Sequence, residues 1–350
     1  MASLRAGTTD GQPATADRRI ALLSIVAPIF NEGANIDAFF ARIVPVLDGT
    51  GLTWEIVCVN DGSGDDSLER LIAARARHPG VRIIDFSRNF GKEPALSAGL
   101  AHARGDVVIP IDADLQHPPE LIPDMIEKWR QGFDVVYALR ASRAYQSGPA
   151  RFFAHAFYWI FDRLSEVPLP AGAGDFRLLD RRVVDVINGM PERTRFMKGI
   201  FAWVGFSQTG VTFTPVERED GDTKWGFFKL LRFAFDGLTA FSNFPLKVWS
   251  LIGAAISLLA FVYIVIRLLR TAIYGIDVPG YESIIVTILF LGGMQLLTLG
   301  IIGDYIGRVF NEVKGRPLYI VRTAYGFEHT EALKMSAGEV SEPERLKALR

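Results

Sequence analysis

Five stretches of strand length, LLSIVAP (22–28), WEIVCVN (54–60), VRIIDF (81–86), DVVIPI (106–111) and FDVVYAL (133–139), are apolar with little alternation. Runs that are apolar on both faces predict strands of a parallel sheet covered on each side. Between them, apolar residues recur at helical spacing in NIDAFFARIVPVL, SLERLIAARAR, EPALSAGLAHA and PELIPDMIEKW. Strand and helix alternating in this way predict an α/β fold. In such sheets a ligand binds beyond the carboxyl ends of the strands.

The pattern changes after residue 245. Nineteen uncharged residues, 248–266, separate Lys247 from Arg267, and 21 more, 283–303, separate Glu282 from Asp304. Each run is long enough to cross a hydrocarbon core of ~30 Å at about 1.5 Å per residue. Two in succession predict a transmembrane hairpin. Lys224, Lys229, Arg232 and Lys247 precede the first span, and Arg308, Lys314, Arg316 and Arg322 follow the second. The positive-inside tendency therefore puts both ends in the cytoplasm. Residues 225–244 mix large apolar side chains with Lys229, Arg232 and Asp236, the pattern of interfacial amphipathic helices.

The expected organisation is a disordered tail over 1–20, an α/β domain over 21–223, interfacial helices over 224–246, two spans over 247–306 and a cytoplasmic tail over 307–350. The first twenty residues hold no apolar run, so a cleaved signal peptide is not expected. The expected location is the inner (plasma) membrane, multi-pass, with the α/β domain cytoplasmic.

Composition narrows the chemistry. With 38 Lys and Arg against 39 Asp and Glu in 350 residues, the net charge is −1, and no basic excess points to nucleic acid. The single cysteine, Cys58, rules out an intrachain disulfide framework and sits inside a predicted strand as a small core residue.

Polar clusters close four of the predicted strands: PIFNE (28–32), NDGSGD (60–65), SRNFGKE (87–93) and DADLQ (112–116). Each alone has a structural explanation, such as a helix cap at Asn31 or a turn at Asp61-Gly62. Their coincidence at one sheet edge predicts a site. No G-x-G-x-x-G follows the first strand, and Lys92 is followed by Glu93, so neither a dinucleotide fingerprint nor a P-loop is present. Asp112 and Asp114, one residue apart at the mouth of an apolar core, repel each other unless a cation sits beside them. A hard divalent ion with oxygen ligands, Mg²⁺ or Mn²⁺, answers that need, with Gln116 as a further oxygen donor nearby.

VAPIFNE, VNDGSGD, SRNFGKE, IDADLQHPPEL, GDFRLLDRR and RFMKGIFAWVGF, in that order, resemble the family 2 glycosyltransferases of the polyprenyl-phosphate type. That group includes the dolichol-phosphate mannose synthases and the bactoprenol glucosyltransferases, and the likeness runs from about Ser24 to Ile306. The resemblance implies a GT-A fold, a mostly parallel sheet that binds a nucleotide sugar, followed by interfacial helices and the two-helix hairpin. It implies inverting transfer of a hexose, UDP-glucose by first choice, to a polyprenyl (undecaprenyl) phosphate at the cytoplasmic face. Carried over position by position, Pro28, Phe30, Glu32, Val59 and Asp61 would cradle the nucleotide. Asp112, Asp114 and Gln116 would surround the metal and diphosphate, and Arg140, Arg151, Arg177 and Lys224 would contact phosphate. Asp175 is the family's candidate base. A phosphate monoester is mostly dianionic at neutral pH, its second pKa being about 6, so Asp175 is expected to orient the acceptor site as much as to take a proton. Phe30 stands where some relatives have Tyr, and Pro215 where some have Arg.

Three other readings stand beside this one. A processive polysaccharide synthase shares the front end but carries a Q-x-x-R-W signature, for which EKWRQ has the wrong order. A D-x-D phosphatase wants Thr or Val where Leu115 stands. A membrane-anchored nucleotide-sugar binder without catalysis would not need Asp112, Asp114 and Asp175 together. Exposed apolar spans are also compatible with a homo-oligomer.

Overall fold

The computed structural model describes residues 18–140, 173–193, 195–213, scattered positions between 255 and 273, and 280–328. The chain divides into two compact units. One comprises Met1–His155, Leu169–Thr223 and Pro317–Arg350, and the other Ala156–Pro168 and Lys224–Arg316.

In the first unit, β1 (Leu22–Ile29), β2 (Thr53–Asn60), β3 (Val81–Phe86) and β4 (Val107–Pro110) alternate with α1 (Gly33–Gly49), α2 (Ser67–Arg77) and α3 (Lys92–His102). A 3₁₀ turn at Pro119–Leu121 and α4 (Ile122–Arg130) follow, then β5 (Val135–Arg140), β6 (Ala173–Asp180), α5 (Arg181–Asn188), α6 (Met197–Trp203), β7 (Gln208–Phe213) and β8 (Val321–Tyr325). All eight strands form one sheet in the order β7-β5-β6-β4-β1-β2-β3-β8.

The apolar runs are the parallel centre. β1 pairs in parallel with both β2 and β4, and β2 with β3. Ile25, Val26, Ile56, Val57, Ile83, Ile84 and Ile109 along these strands are completely buried. Helices cover both faces, and α3 comes so close to β1 that a Cβ on Gly99 would collide with the Val26 side chain. At the amino ends of the strands, buried Glu55 accepts from Ser24 Oγ (2.6 Å) and pairs with Arg82 (2.9 Å). That buried charge is compensated on both oxygens, as burial requires.

The sheet is mostly, not wholly, parallel. β6 is antiparallel and lies between β4 and β5, so the fifth apolar run does not adjoin the fourth. β8 comes from the segment read as a tail and adds antiparallel to the β3 edge. It is held there by Tyr319 stacked on Phe86 (4.9 Å between centroids), by Arg322 donating to the Ser87 carbonyl (2.7 Å) and by Arg82 lying over the Phe327 ring (3.8 Å).

In the second unit, α7 (Tyr281–Val313) is 33 residues long and contains the second predicted span. Its apolar side chains, among them Ile284, Ile288, Leu296, Leu299 and Ile306, are exposed. Among the described residues one helical segment, Phe290–Val313, is long and apolar enough to cross a membrane. The first predicted span, 248–266, lies largely outside the described residues; Leu258, Leu259, Tyr263 and Ile266 within it are helical and exposed. The two-helix hairpin is thus represented by one complete helix. Residues 224–246 and 1–17 lie outside the described residues.

Candidate active site

The loops at the carboxyl ends of β1 to β4 are tied to one another crosswise. After β1, Asn31 adopts φ +54°, its amide donates to Ser63 Oγ (3.0 Å), and its side-chain oxygen accepts from Gly64 N (2.9 Å). Glu32 N donates to Ser67 Oγ (3.1 Å), and Gly33 N to Asp65 (3.0 Å). These bonds hold the β1 loop against the β2 loop. Asp61, almost fully buried, then accepts from Phe90 N (2.7 Å) and Gly91 N (2.9 Å), which fixes the β3 loop. Gly62 allows that approach: its φ is +63°, and a Cβ there would collide with the Arg88–Asn89 backbone.

The anchored β3 loop delivers Lys92 to the first position of α3. Its ammonium lies 2.8 Å from Asp112, beyond β4, and 2.7 Å from Asp175, on β6. The insertion of β6 beside β4 is what brings these two acids together. Lys92 is 43% exposed, while the Asp112 and Asp175 side chains are 24% and 13% exposed, so the ammonium covers the carboxylates from the solvent side. Burial alone would lower the Lys92 pKa, but Asp175 and Asp112 hold it above the ordinary lysine value. Burial pushes Asp175 up, and the charges of Lys92 and Lys198 outweigh it, leaving this carboxyl below the usual range. Asp175 is therefore an ionised, weakly basic group at neutral pH. Beside it, Glu93 accepts from Met197 N (3.0 Å) at the start of α6. Burial and the Asp175 charge push Glu93 up to about 7.

Asp114 builds its own turn. Its Oδ1 accepts from Gln116 N (3.1 Å), and Leu115 between them takes φ +60°. Leu115 packs against the core while Asp114 and Gln116 stay half-buried at the surface. The loop continues to His117, which lies beside Gly174 of β6 and 5.5 Å from the Phe176 ring.

Pro28 and Phe30 stand at the end of β1, the Phe30 ring 45% exposed and open to stacking. Val59 is completely buried inside β2. The Glu32 carboxylate accepts from Asn35 Nδ2. Arg177 is buried at 4% exposure, flat against Phe201 (4.1 Å to the centroid), and donates to the Gly174 carbonyl. Burial lowers its pKa to about 10. Its place is under the Asp175 segment rather than at the surface. Arg140 ends β5; Arg151 and Lys224 lie outside the described residues. Lys92, Glu93 and Lys198 are the residues that sequence reading missed.

The donor set fits a divalent cation of the oxygen-seeking kind. Asp112 already holds a cationic group, the Lys92 ammonium, at hydrogen-bond distance. Among the described residues no cluster of three His, Cys, Asp or Glu side chains could hold an ion by itself. Two carboxylates and an amide oxygen would need substrate phosphate and water to complete the shell of Mg²⁺ or Mn²⁺.

Residues 24–187 match the model of glycosyl transferase family 2, and residues 244–309 match that of the GtrB C-terminal hairpin. The chain is 52% identical over 314 residues to an uncharacterized glycosyltransferase of Synechocystis sp., covering 90% of this chain and 99% of that one. It is 45% identical over 300 residues to a prophage bactoprenol glucosyl transferase homolog of Escherichia coli, covering 86% and 98%. A glucosyl-3-phosphoglycerate synthase from Mycobacterium tuberculosis, solved with Mn²⁺ and UDP-glucose, is 20% identical with a TM-score of 0.40, over 61% of this chain and 76% of that chain.

Proposed function

We propose that this chain, which belongs to glycosyltransferase family 2, moves a hexose from a nucleotide sugar, UDP-glucose by first choice, to a polyprenyl phosphate at the cytoplasmic face of the membrane. The observation that carries the reading is the meeting of Asp112, Lys92 and Asp175 where the carboxyl end of β4 lies beside the amino end of antiparallel β6. It sets a carboxylate suited to a cation beside a second acid and a positive charge, within one site. The likeness to bactoprenol glucosyl transferases, among them that of Shigella phage SfII, 44% identical over 87% of this chain, supports the acceptor. The match to a C-terminal hairpin over 244–309 supports two spans and a multi-pass location.

In the transfer, the bond between C1 of the hexose and the diphosphate oxygen breaks, and C1 bonds to an oxygen of the acceptor phosphate. The nucleoside diphosphate departs with the electron pair, and the configuration at C1 inverts. Asp112 and Asp114, with Gln116 beside them, would hold Mg²⁺ or Mn²⁺, which when bound neutralises charge on the departing diphosphate. Phe30 offers a face for the base, and the crosswise loops of β1 and β2 hold Pro28, Glu32 and Asp61 around the nucleotide. Arg140, Arg151 and Lys224 are carried as phosphate contacts. The acceptor phosphate is already dianionic at neutral pH, and Asp175 is a weak base. Asp175 therefore works by holding Lys92 and orienting the acceptor.

Membranes containing the protein, given undecaprenyl phosphate and a panel of labelled nucleotide sugars, should carry one label into the lipid phase, and only with divalent metal. Asp114→Ala should lower that transfer by more than a hundredfold, about 3 kcal/mol of transition-state stabilisation. A chain that binds the nucleotide sugar yet releases no nucleoside diphosphate would be the non-catalytic binder.

A further inference from the structure

Lys92 has two carboxylates and one charge. Its backbone is held rigidly, because Asp61 grips Phe90 N and Gly91 N immediately before it and α3 begins at Lys92 itself. The side chain beyond that anchor is a flexible four-carbon arm with three N–H directions. Asp112 and Asp175 take two of them.

Asp112 belongs to the candidate cation site, and a divalent ion there would lie within a few ångströms of the ammonium. Two cations cannot both be held closely by one carboxylate without strong mutual repulsion. Asp175, on the neighbouring strand, keeps its attraction for the ammonium whether or not Asp112 is taken. The arm can therefore give up one acid while retaining the other. The N–H then released belongs to a side chain that is 43% exposed beside Asp175, where an incoming phosphate dianion would need a positive charge to approach that acid at all.

We propose that Lys92 is an exchangeable counter-cation: it neutralises Asp112 while the site is empty, yields that carboxylate to the divalent ion that arrives with the nucleotide sugar, and then binds the acceptor phosphate from its place on Asp175. The proposal rests on the function set out above and adds an order to it. The acceptor's ligand becomes available only after a divalent ion has taken Asp112.

Mn²⁺ titration of the purified full-length protein in detergent, followed by electron paramagnetic resonance without any nucleotide, tests the exchange directly. Lys92→Met keeps the length of the arm and removes its charge, so Mn²⁺ should bind it roughly tenfold more tightly than wild type, one unit of log affinity. Lys92→Arg should stay near wild type. Unchanged or weaker Mn²⁺ binding by Lys92→Met overturns the exchange. Transfer kinetics test the second half. Lys92→Met should raise the KM for undecaprenyl phosphate about tenfold or more and leave the nucleotide-sugar KM within about twofold. An increase confined to the nucleotide-sugar KM overturns the acceptor assignment. Matching melting curves for the three proteins establish that the variants fold. If wild type transfers no sugar to the lipid, the proposed function fails, while the metal titration still decides the exchange.

Discussion

Glu93 gives the site a titration near neutrality that folding stability should report. The ordinary value for a glutamate is 4.5, and in the folded protein burial and the neighbouring Asp175 charge push Glu93 to about 7, against the opposing pull of the Met197 amide and of Lys92 and Lys198. Between these two values the folded state holds a proton that the unfolded chain has already released. The contribution of Glu93 to stability should then be greatest below pH 4.5, fall by about 1.4 kcal/mol per pH unit as pH rises, and level off above 7. Over the whole window Glu93 accounts for about 3 kcal/mol. Glu93→Gln cannot ionise, and its side-chain oxygen can still accept from Met197 N. The assay is thermal unfolding of full-length wild type and Glu93→Gln in the same detergent at pH 5 and pH 8. At about 2–4 °C per kcal/mol, the wild type should lose some 5–10 °C more between the two pH values than the variant does. Other groups titrate in this range too, but they are common to both proteins and cancel in the comparison. Parallel losses in the two proteins would show that Glu93 is ionised throughout and that the Asp175 environment is less desolvated than its geometry indicates.

Gly62→Ala should be the most disruptive single methyl in the site, because it combines a left-handed backbone with a collision against Arg88–Asn89. A cost of about 1–3 kcal/mol in melting is expected, with a higher nucleotide-sugar KM because the loop that carries Lys92 must move. Arg322→Ala removes a donor to the Ser87 carbonyl and a 3.7 Å partner of buried Asp85, whose remaining bond is to Asn60. Since the Arg322 side chain is 59% exposed, the loss should be only about 1 kcal/mol, and Arg322→Lys should recover part of it in the same melting assay.

The centre of the sheet was legible because it is buried on both faces. Strands in that position must be apolar without interruption, and the helices between them keep one apolar stripe, so 22–139 reads as alternating elements. The residues of β6 did not read as a strand for the opposite reason. AGDFRLLD carries two ionised side chains that are largely buried, Asp175 and Arg177, and much of the compensation for that comes from partners distant in sequence, Lys92 and the Phe201 ring. β8 is a five-residue edge strand with one buried residue, Val321, and its partner β3 is more than two hundred residues earlier. Local pattern cannot see such a pairing. Arg177 was legible as a functional residue by its place in GDFRLL, yet the fold sinks it beneath the site. Lys92 carried one usable signal, its position just beyond a strand end at the same edge as DADLQ.

The carboxylates at this edge fall into two kinds, and the difference says where chemistry can happen. Asp61 and Asp65 are gripped by backbone amides of neighbouring loops. Releasing either would orphan buried or half-buried N–H groups at about 1–3 kcal/mol each, so they act as fasteners. Asp112 and Asp175 share one lysine arm instead. Moving a flexible ammonium costs a rotamer change and no buried amide, so Asp112 can exchange its partner while Asp175 keeps the lysine and the loops around them stay fixed. Asp114 lies between the kinds: one of its oxygens closes its own turn through Gln116 N. The edge thus sets acids that can be released cheaply inside a frame that cannot. The placement of amide-bound and lysine-bound carboxylates on successive strand ends supplies that combination.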